Sequence, residues 1–428
     1  MLSRSHASEA HSVLSCICDG VPPIAVPVYM NVSLPPKVIL RPSFVSMAAV
    51  FASFAAWLFP SFGVLRKGFG ERAHVNVSSC VVLASWYLLI FMSFTVGEKL
   101  GRTKVFRSSG LRERMFSLDS DLLYYIFSLL TAIGMATTLI KIFQSLSLQQ
   151  AIVFVALGQA NSLKEALYED YAVGIVSLRY LVLYSASIAL YRIIRWKSYS
   201  PLNILNILML GVAALVLGSR LILVAALLSV VFVLSFGKRS IRFSIPKLII
   251  LGALLFLILA GLNFSRNAAY YEDRKLSFGL AGVSEIVAYL GGPFQGAIGS
   301  ASVVDQLVAG GDLTFRNYVD VEINLTTDSA FVHLHEQFGY ASWAYIAVIC
   351  LFMGFVFEFL ASLGKTFFLL PCGAILYGSA ELWRLDLFHQ GIFIVWFVLG
   401  IGLPVFLIGC QRLFALIGGF VPMGRSVG

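Results

Sequence analysis

The sequence predicts an all-α, polytopic integral membrane bundle of about ten transmembrane helices, and three observations carry that expectation. Of its 428 residues 59% are hydrophobic and 12% charged, with a mean hydropathy of +0.87, a balance foreign to soluble domains. Apolar runs recur at the length of about 20 residues that crosses the hydrocarbon. Basic residues gather in short breaks between those runs, which is the positive-inside pattern.

Residues 1–42 are polar and then proline-rich ("VPPIAVP", "LPPK"). No apolar core precedes a small-residue cleavage site there, so the segment reads as a disordered or interfacial cytoplasmic tail and not a signal peptide. A start at Met30 is an open alternative. Membrane helices are expected at 43–65, 77–96, 122–143, 171–194, 202–218, 220–236 and 246–263, then at 340–361, 366–382 and 391–411. Residues 43–263 thus hold the first seven. Residues 264–339 form one long extracytoplasmic loop, and residues 340–428 hold the last three helices and a cytoplasmic C-terminus.

Orientation follows from the loops. "EKLGRTKVFRSSGLRER" carries Lys99, Arg102, Lys104, Arg107, Arg112 and Arg114; "RIIRWK" carries Arg192, Arg195 and Lys197; "GKRSIR" carries Lys238, Arg239 and Arg242. Ten spans place all three on the cytoplasmic side with Lys365, Arg412 and Arg425, while Arg66, Lys67 and Arg72 disagree. The net charge of +9 is therefore topological, and no nucleic-acid partner is expected. Cys80, Cys350, Cys372 and Cys410 lie in or beside apolar runs, and Cys16 and Cys18 lie in the tail. No disulfide framework or zinc spacing is visible.

Two pieces are expected on the outer face. Residues 143–171 read as an amphipathic surface stretch followed by an acidic connector. Residues 264–339 hold nine of the 22 acidic residues, and a loop of that length with so many aromatic residues is expected to be the working part. Inside it, "EIVAYLGGPFQGAIGSA" is expected to be re-entrant or interfacial.

Four clusters could carry chemistry. Arg220, in "LVLGSRLILVAALL", breaks two apolar runs. An arginine at bilayer depth costs at least about 2.5–3.5 kcal/mol, so it is either a helix-end residue reaching for water or an anion ligand. In "NFSRNAAYYEDRKLSFG", a helix would put Arg266, Tyr270 and Arg274 on one face, beside Tyr271, where they could cradle a pyrophosphate and stack a sugar; a solvated turn with local ion pairs is the alternative. In "NLTTDSAFVHLHEQFGY", Thr326, Thr327 and Asp328 are N-cap types, so a helix should begin there. His335 would point into the bundle, either as a functional base or tied to a backbone carbonyl, while His333 would meet Glu336 or Gln337. The His-x-His spacing alone is a poor metal signal. Finally, "ELWRLDLFHQG" gathers Glu381, Arg384, Asp386 and His389, to complete that site or to form a polar turn.

Over residues 200–365 these pieces resemble the Wzy-type O-antigen and exopolysaccharide polymerases, the oligosaccharide repeat-unit polymerase family. The likeness lies in the tight "GSRLILVAALL" turn, in the single long loop opening with Arg and Tyr, and in "NLTTDSAFVHLHEQFGYASWAY". The last matches an Asn-x-x-Thr, aromatic, acidic-aromatic-Gly pattern, although here Gln337 intervenes between Glu336 and Phe338.

The resemblance implies a metal-independent, cofactor-free glycosyltransferase of GT-C-like helical architecture in the bacterial inner membrane. It would join repeat units carried on undecaprenyl pyrophosphate at the outer face, with a flippase and a chain-length regulator as partners besides membrane lipid. Cationic groups should stabilise the departing pyrophosphate, with Arg220 and Arg274 the catalytic candidates. The acceptor hydroxyl needs a base, His335 first and Glu336 second. Arg266, Tyr270, Tyr271, Asn324 and Arg384 are the substrate-binding candidates. A sugar ligase using the same lipid is the nearest competing expectation. A transporter or flippase of lipid-linked saccharide is the other, and it fits less well because ionisable residues within the spans are few.

Overall fold

The computed structural model describes residues 39–58, 69, 71–103, 120–147, 149–150, 153, 174–215, 220–236, 250, 252–254, 256–258, 260–261, 277–305, 315–317, 319–321 and 329–417. Among these there is no β-strand. The helices are α1 (Pro42–Leu58), α2 (Val77–Gly101), α3 (Ser120–Ser145), α4 (Val182–Trp196), α5 (Pro201–Leu215), α6 (Arg220–Phe236), α7 (Phe278–Ala301), α8 (Ala330–Phe338), α9 (Ala341–Leu363), α10 (Thr366–Glu381), α11 (Gly391–Phe397) and α12 (Leu403–Ile417). A 3₁₀ turn, Ile175–Leu181, leads into α4, and a π turn, Val398–Gly402, joins α11 to α12.

Four stretches are long and apolar enough to cross a membrane: Val77–Gly101, Asp121–Gln144, Ala341–Leu363 and Gly391–Gln411. Pro42–Leu58, Pro201–Ala214 and Ile222–Phe236 are shorter apolar helices. Their outward faces are greasy, with Phe51, Leu208 and Val348 each at least 60% exposed. A helical bundle dressed this way belongs in lipid.

The structural centre is the pair α2 and α9, distant in sequence and packed in parallel. Trp86 meets Trp343 edge-on at 5.3 Å, and further along the backbones themselves close up. A Cβ on Gly97 would run into the Leu351 carbonyl, one on Gly101 would lie 2.7 Å from the Phe355 oxygen, and one on Gly354 would lie 2.6 Å from the Phe94 oxygen. Gly97 and Gly101 are a Gly-x-x-x-Gly pair, whose missing side chains let two helices touch where no hydrophobic effect drives them together. At the far end Arg102 pairs with Glu358. The neighbouring Glu98, buried, accepts from the Ser43 amide at the start of α1 at 3.0 Å, where the unsatisfied N–H groups of a helix attract an anion.

Three expectations change in detail. The glycine-rich stretch expected to be a short re-entrant or interfacial piece is part of α7, one continuous helix of 24 residues. Its glycines allow close packing: Gly291 faces the Ala56–Trp57 backbone and Gly299 faces Val319. Second, α10 has only 16 residues, about 24 Å, short of the roughly 30 Å hydrocarbon. It is buried along most of its length and ends at a turn, residues 382–390, that is itself largely buried. Third, the span expected over 171–194 divides into the 3₁₀ turn and α4. The span expected over 246–263 and the amphipathic stretch at 143–171 fall mostly outside the described residues, as does the tail.

Candidate functional site

Polar side chains converge where α8, the start of α9, α7 and the 382–390 turn meet. Helix α8 begins one residue beyond the expected caps: Ser329 is the N-cap, its Oγ accepting from the Phe331 amide at 3.2 Å. It ends at Gly339, whose φ of +55° suits glycine far better than any other residue. Helix α9 begins two residues later, at Ala341.

Asp386 anchors the cluster. It is fully buried, yet its carboxylate is satisfied on three sides. Oδ1 accepts from the Phe388 amide at 3.0 Å; Oδ2 accepts from the Tyr345 hydroxyl at 2.8 Å and from Nδ1 of His389 at 3.3 Å. This is the geometry by which a carboxylate fixes an imidazole tautomer, with Nε2 left as the basic nitrogen. The hydrogen bond to Asp386 raises the His389 pKa above the ordinary 6.5, against the effect of partial burial. The His389 side chain is 42% exposed and stacks on His333 at 6.0 Å. His333 in turn meets Gln337 at 3.2 Å.

Beside this pair lies Arg384. Its Nε and Nη2 reach Glu381 Oε2 at 2.8 and 2.6 Å, and its guanidinium sits 4.6 Å from the Tyr289 ring centre on α7. Burial works against the charged form, but Glu381 and then Tyr289 hold it, so the Arg384 pKa lies above its usual value.

The expected residues fare differently. His335 is buried, and its Nε2 lies 3.0 Å from the Val304 carbonyl. A carbonyl only accepts, so Nε2 carries the hydrogen and Nδ1 is a bare acceptor, without a partner among the described residues. The ring is sandwiched by Phe331 at 5.8 Å and the edge of Tyr340 at 5.4 Å. His335 thus fastens α8 to the turn after α7. Glu336 accepts from the Phe315 amide at 2.9 Å, tying down the short 3₁₀ turn Phe315–Asn317. Arg220 opens α6, with its side chain outside the described residues. Arg266, Tyr270, Tyr271, Arg274 and Asn324 also lie outside them.

Gln295 was passed over in the sequence. Fully buried on α7, it accepts from Trp57 Nε1 at 2.7 Å and the Ala73 amide at 3.0 Å, and donates to the Glu71 carbonyl at 2.7 Å. A glutamine in an apolar, glycine-rich helix was the available signal, since buried amides need partners. Among the described residues no group of three or more metal-ligating side chains forms a site. The fold defines a class, the helical membrane proteins, and the comparisons go no further: no family model, characterised protein or solved structure matches the chain.

Proposed function

We propose that this chain is a membrane-embedded glycosyltransferase that joins saccharide units carried on a polyprenyl pyrophosphate, a repeat-unit polymerase of GT-C-like architecture. The observation that carries the reading is the Asp386–His389 pair, a half-exposed imidazole held by a buried carboxylate next to a buried arginine. Together with the sequence resemblance, it supplies the two groups the reaction requires.

In the reaction, the acceptor sugar hydroxyl bonds to the anomeric carbon of the donor while its proton passes to Nε2 of His389. The anomeric carbon–oxygen bond breaks, and its electron pair leaves with the lipid pyrophosphate. Asp386 holds the imidazole in the accepting tautomer and stabilises the imidazolium that forms. Arg384 places positive charge near the developing anion, where a fixed donor contributes about 2.7–4 kcal/mol. His389 replaces His335 as the proposed base, because His335 is buried in the bundle while the His389 side chain is exposed. Arg220, Arg266 and Arg274 remain proposed contributors to pyrophosphate stabilisation.

The test is the lipid-linked saccharide that accumulates when the gene is deleted. Single repeat units are expected, with polymer restored by the wild-type gene. Full-length lipid-linked polymer in the deletion strain would assign a ligase, and unchanged polymer would remove the chain from the pathway.

A further inference from the structure

The 3₁₀ turn before α4 carries a cation that the site above does not use. Arg179 is 4% exposed. Its Nη2 donates to the Tyr180 hydroxyl at 2.9 Å, and its guanidinium lies 4.6 Å from the Tyr180 ring centre. No carboxylate among the described residues pairs with it. Arg102, Arg192 and Arg384 each have one, in Glu358, Asp121 and Glu381 respectively. A guanidinium offers five N–H donors, and taking a cation out of water costs several kcal/mol unless an anion compensates. A phenol and a ring face offset only part of that, the desolvated ring face contributing about 2 kcal/mol.

The backbone around Arg179 is fixed on two sides. On α3, a Cβ on Gly134 would collide with the Arg179 amide, so the two elements touch main chain to main chain. On α11, Trp396 Nε1 donates to the Tyr180 carbonyl at 2.8 Å, and the Tyr184 hydroxyl donates to the Trp396 carbonyl at 2.8 Å. Gly400 lies directly against Tyr184. The segment 180–184 therefore runs beside 396–400 in the same direction. This sets Arg179 toward the end of the bundle at which α11 begins, just after His389. The adjoining outer surface is apolar, with Ile140 and Ile175 more than half exposed. An anion arriving there is most simply one borne on a lipid.

We infer that Arg179 is a binding residue for the phosphate groups of a lipid-borne ligand, namely the polyprenyl pyrophosphate of the transferase reading, on which the inference rests. The diphosphate supplies the missing counter-charge, and the tail lies along the apolar face of α3 and the 3₁₀ turn. Arg179 is a binding group for the donor lipid, distinct from the His389 base.

Thermal unfolding of the purified full chain in detergent tests this with four probes: undecaprenyl pyrophosphate, undecaprenol, phosphatidylglycerol and inorganic pyrophosphate. In the wild type, undecaprenyl pyrophosphate is expected to raise the midpoint, while undecaprenol and phosphatidylglycerol leave it unchanged. Arg179→Met should fold with an equal or higher midpoint in the absence of ligand, and bind the lipid pyrophosphate about tenfold or more weakly. Inorganic pyrophosphate binding that needs Arg179 supports the site independently of any polymerase activity. A wild-type shift as large with undecaprenol or phosphatidylglycerol overturns the inference, and so does a full shift retained in Arg179→Met. Should that variant not fold, the wild-type comparison of undecaprenyl pyrophosphate with undecaprenol decides alone. Loss of polymer in the gene deletion, with no lipid pyrophosphate shift, would sink the inference and leave the transferase standing.

Discussion

His389 leans on a buried carboxylate: Asp386 is fully buried, and its Oδ2 accepts from Nδ1 of His389 at 3.3 Å and from the Tyr345 hydroxyl at 2.8 Å. Phe388, one residue before the histidine, packs its ring against Phe393 at 4.9 Å and Phe94 at 6.4 Å. The turn is thereby pinned in the core while its next residue faces outward.

The first prediction concerns pH. The fold favours protonated His389, so its contribution to stability is complete below the ordinary value of 6.5 and is lost as pH rises through the raised value. Activity runs the other way, because a base must be neutral. Polymer formation should climb with pH and level off above 6.5. Asp386→Asn should shift that midpoint downward and slow turnover, and His389→Ala should slow it by about 10²–10⁴-fold. Rates on lipid-linked saccharide at a series of pH values check both; an unmoved midpoint in Asp386→Asn would remove the pair from the chemistry.

His335 serves as the control. Its Nε2 is held by the Val304 carbonyl at 3.0 Å, so His335→Ala should lower the unfolding midpoint by opening a cavity and freeing that carbonyl. The pH midpoint of the surviving activity should stay at the wild-type value. A shifted profile at normal protein level would return the base to His335.

A third prediction comes from the contact between α2 and α9. Gly97→Ala and Gly354→Ala force a methyl group into backbone of the facing helix, and overpacking of this kind costs about 1–3 kcal/mol or more. Gly211→Ala on α5 meets nothing within 4 Å and should be neutral or slightly stabilising. Folded yield and unfolding midpoint in one detergent separate the two groups.

How much of this was legible follows from which physics each residue obeys. Hydropathy alone marks the long apolar helices, because lipid demands a fixed length of greasy chain. The pairing of Phe331 with His335 and of His333 with Gln337 follows from helical spacing. Hydropathy could not reveal that α10 stops inside the bundle, since a buried core helix and a spanning helix look alike in composition. Nor could it join Asp386 to Tyr345, a contact that depends on α9 and α10 folding back on each other. Arg179 was visible as a lone cation in "VSLRYLVLY", but its lack of a carboxylate partner is a fact of three dimensions.

The last prediction turns on Arg384 and Glu381. Both are largely buried, their ion pair spans 2.6 Å, and the cost of separating them is lopsided. Removing only the acid, in Glu381→Gln, strands a cation in the core and should lower stability by about 3–5 kcal/mol. Replacing both, in Glu381→Leu with Arg384→Met, removes the desolvation penalty with the attraction and should restore most of that loss. A purely structural pair would leave the double variant active. If Arg384 meets the departing pyrophosphate, the double variant folds and unfolds like the wild type yet transfers sugar about 10²–10³-fold more slowly. Unfolding midpoints and turnover measured on the same three proteins distinguish the outcomes, and wild-type turnover in the stable double variant would exclude Arg384 from the site.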